Sequence, residues 1–157
     1  LALRVSSVDL PPTLIVRPLS EIVFYLVGET EYLQRHGTPS TPQEIPAYNF
    51  VQASYVDMEH IKISRDGEHF TLAPNSTIRA DNTLMVREMV LAGGGLGCLP
   101  VWTVKRDLDS GRLVRLLPEW RILSATLYAA YADRAFLSAK IRSFIDFLVE
   151  KIKQEAV

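Results

Sequence analysis

A single cysteine, Cys98, stands among 157 residues, so no internal disulfide can form, and a chain with 48% apolar residues needs none to bury a core. An excess of one charge is missing as well. The 17 basic and 18 acidic residues leave a formal net charge of -1, too little to draw the chain onto nucleic acid or an anionic membrane. Long apolar runs are absent: the longest uncharged stretch, Met89 to Val104, holds four glycines and a proline and falls short of the roughly 18 apolar residues that a membrane span requires. No repeat or low-complexity segment occurs, and the apolar fraction excludes disorder. The chain reads as soluble, with one domain or two small lobes. It opens on Leu1 rather than Met, with Leu1 to Val5 already strand-like, and so reads as part of something longer; no basic-then-apolar leader is present in it.

Catalytic groupings are missing too. His36, His60 and His69 are scattered, Cys98 lies in an apolar run, and the side chains of the adjacent pair Glu59-His60 would diverge on a strand, so no metal site is expected. There is no Gly-x-Ser-x-Gly elbow. Ser138-Ala139-Lys140 has the wrong spacing for a Ser-x-x-Lys pair, and Ser138 reads as a helix cap. The carboxylates Asp57, Glu59, Asp66 and Glu68 surround a hairpin and read as solvated turn charges. No catalytic residue, no metal and no cofactor is therefore expected, and the chain is not read as an enzyme. The glycines Gly93-Gly94-Gly95-Leu96-Gly97 follow a helical pattern and precede a strand, the reverse of a dinucleotide-binding loop, and read as a helix cap with a tight strand entry.

What is present is an alternation of strand and helix signals. Leu1 to Val5 reads as a buried strand, Thr13 to Leu19 and Ile22 to Val27 as two more, and Glu29 to His36 as a helix ending at Gly37. Thr41-Pro42-Gln43-Glu44 has the spacing of a capping box with proline at the first helical position. A strand follows around Tyr48 to Gln52, then a hairpin turning at Asp66-Gly67 between Ile61-Lys62-Ile63 and Phe70-Thr71-Leu72, and another strand around Ile78. Asn82 and Thr83 can cap a helix with Met85, Val86, Met89 and Val90 as its apolar stripe. Leu96 to Leu99 reads as a buried strand stopped by Pro100, Val104 to Leu108 as a short helix, and Leu113 to Leu116 and Leu127 to Tyr131 as strands. A last helix after Ser138 carries Ile141, Phe144, Ile145, Leu148 and Ile152 on one stripe. The class is α/β.

A binding module remains, and its best candidate is the junction Arg79-Ala80-Asp81-Asn82-Thr83. A strand running into a helix presents backbone N–H groups at its mouth, suited to a polar or anionic small ligand; the same residues would also serve simply to cap the helix. Both readings stand on the sequence.

Several segments resemble the effector-binding region of LysR-type transcriptional regulators: Leu1 to Val5, Leu14 to Leu19, Tyr32-Leu33-Gln34-Arg35-His36-Gly37-Thr38-Pro39, and Ile78 to Asn82. Val90 to Pro100, Leu108 to Trp120, Leu127 to Tyr131 and Leu137 to Leu148 complete the match in order and spacing along nearly the whole chain. The resemblance implies a two-lobed, periplasmic-binding-protein-like (type 2) fold, with residues 16–123 forming a complete second lobe. Residues 1–15 and 124–157 would supply only part of the first, with the DNA-binding domain outside the chain. Two departures stand out: Ser6-Ser7 where many members have a glycine, and Cys98 where aliphatic residues are usual.

By position, the resemblance places Arg4, Val5 and Ser6, then Asp81, Asn82 and Thr83, then Pro100, Val101 and Trp102 at the effector cleft. Arg4 would pair with an effector carboxylate or stand as a solvated strand-end charge. The implied function is ligand sensing: a small effector, polar or anionic, held between the lobes to control DNA binding and transcription in the cytoplasm, with DNA contacted only through the missing domain. A homodimer or homotetramer is implied, and Phe147 and Val149, outside the main stripe of the last helix, supply apolar surface for it. A solute-binding protein of a transport system would share the fold and is the alternative.

Overall fold

The computed structural model describes residues 1–5, 13–54, 60–122, 125–131 and 139–155. Its chain falls into two units, Leu1–Ile22 with Ser124–Val157, and Val23–Leu123.

In the first unit, β1 (Ala2–Val5) and β2 (Ile15–Ile22) do not pair with each other. Each pairs antiparallel with a strand from the far end of the chain, Ala125–Tyr131, with a register shift at Leu127/Tyr128 in its pairing to β2. The last helix, Ala139–Glu155, packs on β2, burying Ile145. Two expectations change here. The first strand is exposed along its length, with Leu3 and Val5 about half accessible, and Phe144, expected on the buried stripe, is exposed together with Phe147. An ion pair, Arg17 to Asp146 at 3.1 Å, joins strand to helix at the surface.

The second unit is built on a five-stranded mixed sheet. Its members are β3 (Phe24–Glu29), β4 (Asn49–Ala53), β7 (Asn75–Ala80), β8 (Leu96–Pro100) and β9 (Leu113–Leu116), in the order β7-β4-β8-β3-β9. β4 runs parallel to both β7 and β8, while β3 is antiparallel to β8 and β9. Alternation along the strands sends Val27, Val51 and Leu99 to one face, where helices α2 (Thr83–Leu91) and α3 (Val101–Asp109) cover them with Val86, Val90 and Val104. Leu26, Phe50, Leu96 and Cys98 go to the other face. There they meet Tyr32 and Leu33 of α1 (Thr30–His36), Ile45 of a 3₁₀ turn (Pro42–Ala47), and the hairpin of β5 (Ile61–Arg65) and β6 (Glu68–Leu72). A two-residue strand, β10 (Arg121–Ile122), extends the hairpin sheet, and the strand at Ala125–Tyr131 is thus β11 and the last helix α4.

Local chemistry explains most boundaries. Asp66 and Gly67 both take positive φ, the turn that an Asp-Gly pair favours between right-twisted strands. Gly37 closes α1 with its N–H on the Leu33 carbonyl. Glu29, rather than a Ser or Thr, caps the start of α1, its carboxylate accepting from the N–H groups of Glu31 and Tyr32. The expected capping box at Thr41 is only half formed. Glu44 reaches back to the Ser40 amide and to the Ser40 and Thr41 hydroxyls, while Thr41 caps nothing, because the segment winds as a 3₁₀ turn. The Ser40 amide above all, then the Thr41 hydroxyl, holds the Glu44 carboxyl below its ordinary value. Pro100 ends β8 as its last residue, and α3 begins at once with Val101, three residues earlier than the sequence pattern predicts.

α2 and α3 are joined by a fork. Asp107, almost fully buried, receives Nε of Arg87 at 2.7 Å and Nη2 at 2.9 Å, and Arg112 stands 3.5 Å away.

Candidate functional site

Because β7 and β8 flank β4 in parallel, the helices that follow them open on the same edge of the sheet, the carboxyl edge where ligands of α/β folds settle. That edge is tied together by Ser54, whose N–H and hydroxyl both donate to the carbonyl of Ala80 at the end of β7. At the first mouth Asp81 and Asn82 are exposed and Thr83 is half-buried. Asn82 is a true N-cap: its backbone is extended, its Oδ1 accepts the Met85 N–H at 2.8 Å, and its amide group donates to Asp81. At the second mouth Pro100 is buried, Val101 donates its N–H to the Val23 carbonyl, and Thr103 donates its hydroxyl to Pro100. Trp102 stands out at 69% exposed.

The second unit thus brings Asp81, Asn82, Thr83, Pro100, Val101 and Trp102 to one edge. Arg4 and Val5 belong to the first unit, where both are exposed on β1 opposite Tyr128 and Leu127. Ser6, Ser7, Asp57, Glu59 and Ser138 lie outside the described residues. Sequence reasoning missed Leu84 and Met85. Met85 was expected on the buried stripe of α2, yet only Val86 and Val90 are fully buried, and Leu84 at 62% and Met85 at 46% face solvent at the first mouth. The signal was in the composition: three consecutive apolar residues, Leu84, Met85 and Val86, between Thr83 and Arg87 are more than one face of a nine-residue helix can bury.

Among the described residues no group of His, Cys, Asp and Glu is placed to hold a metal, and no helix is long and apolar enough to cross a membrane. Cys98 lies in the core, its Cα opposite that of Leu26, and burial pushes its thiol up to about 12. The thiolate is the reactive form, so N-ethylmaleimide is expected to leave Cys98 unmodified in the native protein and to label it after denaturation, as read by peptide mapping. Fast native labelling would contradict this burial.

Residues 1–153 match the family model described as the LysR substrate binding domain. A probable HTH-type transcriptional regulator, LtrA, of Klebsiella pneumoniae is 32% identical over 157 residues, covering 97% of this chain and 50% of its own length. CrgA of Neisseria meningitidis is 29% identical over 97% of the chain and 51% of its own length. The chain therefore spans about half the length of these relatives. Among solved structures, the CrgA regulatory domain superposes with a TM-score of 0.80 at 25% identity, covering 95% of this chain and 73% of that one. Full-length AphB of Vibrio cholerae, at 23% identity and a TM-score of 0.80, shares the fold. These relatives are regulators, neither enzymes nor transport proteins, and the α/β architecture is the two-lobed, periplasmic-binding-protein-like fold of LysR regulatory domains. The chain belongs to the LysR substrate-binding-domain family.

Proposed function

We propose that this chain is the ligand-sensing region of a cytoplasmic LysR-type transcriptional regulator, with Val23–Leu123 as one lobe, seven residues shorter at its start than the sequence suggests because β2 pairs with β11, and Leu1–Ile22 with Ser124–Val157 as part of the other. A small effector with a polar or anionic end binds at Asp81, Asn82 and Thr83 and at Pro100, Val101 and Trp102; the family resemblance also assigns Arg4, Val5 and Ser6 to ligand binding. Leu84, Met85 and Trp102, exposed at the two helix starts on the edge that also carries the polar side chains of Asp81, Asn82 and Thr83, carry this reading: apolar surface and a few polar groups are the mixture that small-ligand sites use. Effector binding shifts the population of interlobe or intersubunit arrangements in a homodimer or homotetramer. DNA is contacted by a part of the protein outside these residues.

The test uses full-length protein in which Trp120→Phe leaves Trp102 as the reporter within this region, titrated with a panel of small carboxylates. A binder is expected to shift Trp102 emission, and Thr83→Ala is expected to weaken that binder by about fivefold, the loss of one hydrogen bond of about 1 kcal/mol. Asn82→Ala is expected to cost about 1 kcal/mol of stability through the lost cap. Unchanged affinity in both variants, with stability lost, would show that the junction only caps a helix.

A further inference from the structure

α2 carries the candidate effector site at its start; at its other end, about 12 Å along its axis, lies a second concavity. It is a groove of about 340 Å³ lined by Leu91 at the end of α2, by Ala92 and Gly93 that follow it, by α1 with its cap Glu29, and by Arg112 in the turn before β9. Its charged lining is Glu29, Glu31, Arg35 and Arg112. The walls are fixed by backbone bonds: the Thr30 N–H donates to the Arg112 carbonyl at 3.1 Å, and the Thr30 hydroxyl donates to the carbonyl of Gly111.

The four charged side chains have different degrees of freedom. Glu29 is committed, each carboxylate oxygen accepting a backbone N–H of α1. Arg35 donates its Nε to the Glu31 carbonyl, and its Nη2 lies over the end of α2, 3.4 Å from where a Cβ on Gly93 would stand. Arg112 meets Asp107 only at 3.5 Å, because the Arg87 fork already holds both oxygens of that carboxylate. Two guanidinium groups therefore keep donors toward the groove, while Glu31 and the partial negative charge at the carbonyl end of α2 supply the opposite sign. A simple anion would meet two carboxylates there, and a simple cation two guanidinium groups. A molecule with both charges satisfies both kinds of group.

We propose that this groove is a second ligand site, separate from the helix mouths, for a small zwitterion of the α-amino-acid class. The ligand's carboxylate sits between Arg35 and Arg112, and its ammonium group faces Glu31 and the end of α2. This proposal does not depend on the effector reading above.

Calorimetry on the full-length protein tests it with L-alanine as the probe and acetate and methylammonium as its two halves. Saturable binding of L-alanine is expected, with neither half matching it. Arg35→Gln and Arg112→Gln are each expected to weaken it about tenfold, as loss of a charged hydrogen bond does. Glu31→Gln is expected to narrow the gap between L-alanine and acetate, and Arg112→Lys, which keeps the charge but not the fork, to fall between wild type and Arg112→Gln. Trp102→Ala is expected to leave L-alanine binding unchanged. The proposal is overturned if no saturable binding is seen, if acetate binds as tightly as L-alanine, or if circular dichroism shows the Arg35 and Arg112 variants folded and L-alanine binds them like wild type. Loss of binding in Trp102→Ala would place the probe at the helix mouths and equally overturn it.

Discussion

Gly95→Ala is expected to remove about 4 kcal/mol or more of stability, the largest single-methyl effect in the second unit. At Gly95 φ is +142°, a conformation that side chains rarely adopt, and a Cβ there would stand 2.4 Å from the Asn49 carbonyl oxygen and 2.6 Å from its carbon. Those are backbone atoms of β4, which cannot rotate away. Strain of this kind costs about 1–3 kcal/mol for the dihedral and a similar amount for the overlap. Gly111→Ala is the control, since φ there is also positive, at +75°, but nothing lies within 4 Å of the added carbon. It is expected to lose only the dihedral part, about 1 kcal/mol. Urea denaturation of both variants separates the two contributions. A Gly95→Ala protein within about 1 kcal/mol of wild type would show that β4 and the α2–β8 connection do not approach this closely. The glycine run is thus used for packing, as its position after a helix and before a strand suggests.

Asp107→Asn is expected to cost about 3 kcal/mol, lowering Tm by roughly 6–12 °C for a chain of this size. The substitution keeps the volume and removes the charge. It leaves the Arg87 guanidinium, 22% exposed, without the carboxylate that takes two of its hydrogen bonds. Asp146→Asn makes the comparison: the Arg17–Asp146 pair has a similar length, 3.1 Å, but its side chains are 43% and 59% exposed, so its loss should stay within about 1 kcal/mol. Replacing both partners of the buried pair, as Arg87→Met with Asp107→Leu, is expected to recover much of the loss, since a well-packed apolar pair needs no desolvation of charge. Equal effects at Asp107 and Asp146 would show that burial does not set the strength of these pairs.

Features set by neighbouring residues were legible in the sequence. The Asp66-Gly67 turn, the Asn82 cap, the Gly37 stop and the buried run at β8 depend on a few adjacent side chains, and each is found. Features set by distant packing were not. Nothing near Asp107 announces that a carboxylate will be buried, because its partner Arg87 lies on another helix. β10, of two residues, exists only by pairing with Ser64 and Ile63. The first strand reads as buried from its apolar composition, yet exposure depends on what covers it. At the candidate site, the capping role of Asn82 followed from local chemistry, whereas Trp102 entered through family resemblance, Met85 was hidden by a stripe drawn one position too wide, and Leu84 lay outside that stripe with no role assigned to it.

The pairing of β1 and β2 with β11 has a consequence for how the protein is made. β3 can close its part of the sheet once β8 and β9 have emerged, but β1 waits for a strand roughly 120 residues further on. At about 5–20 residues per second, that wait lasts on the order of 6–24 s. Throughout it, Leu3 and Val5 stand without their β11 partner, while every residue of the second unit is synthesised and able to fold. The order of translation therefore places the β1–β11 and β2–β11 pairings after synthesis of the whole second unit, so the first unit's sheet closes with the other body already complete.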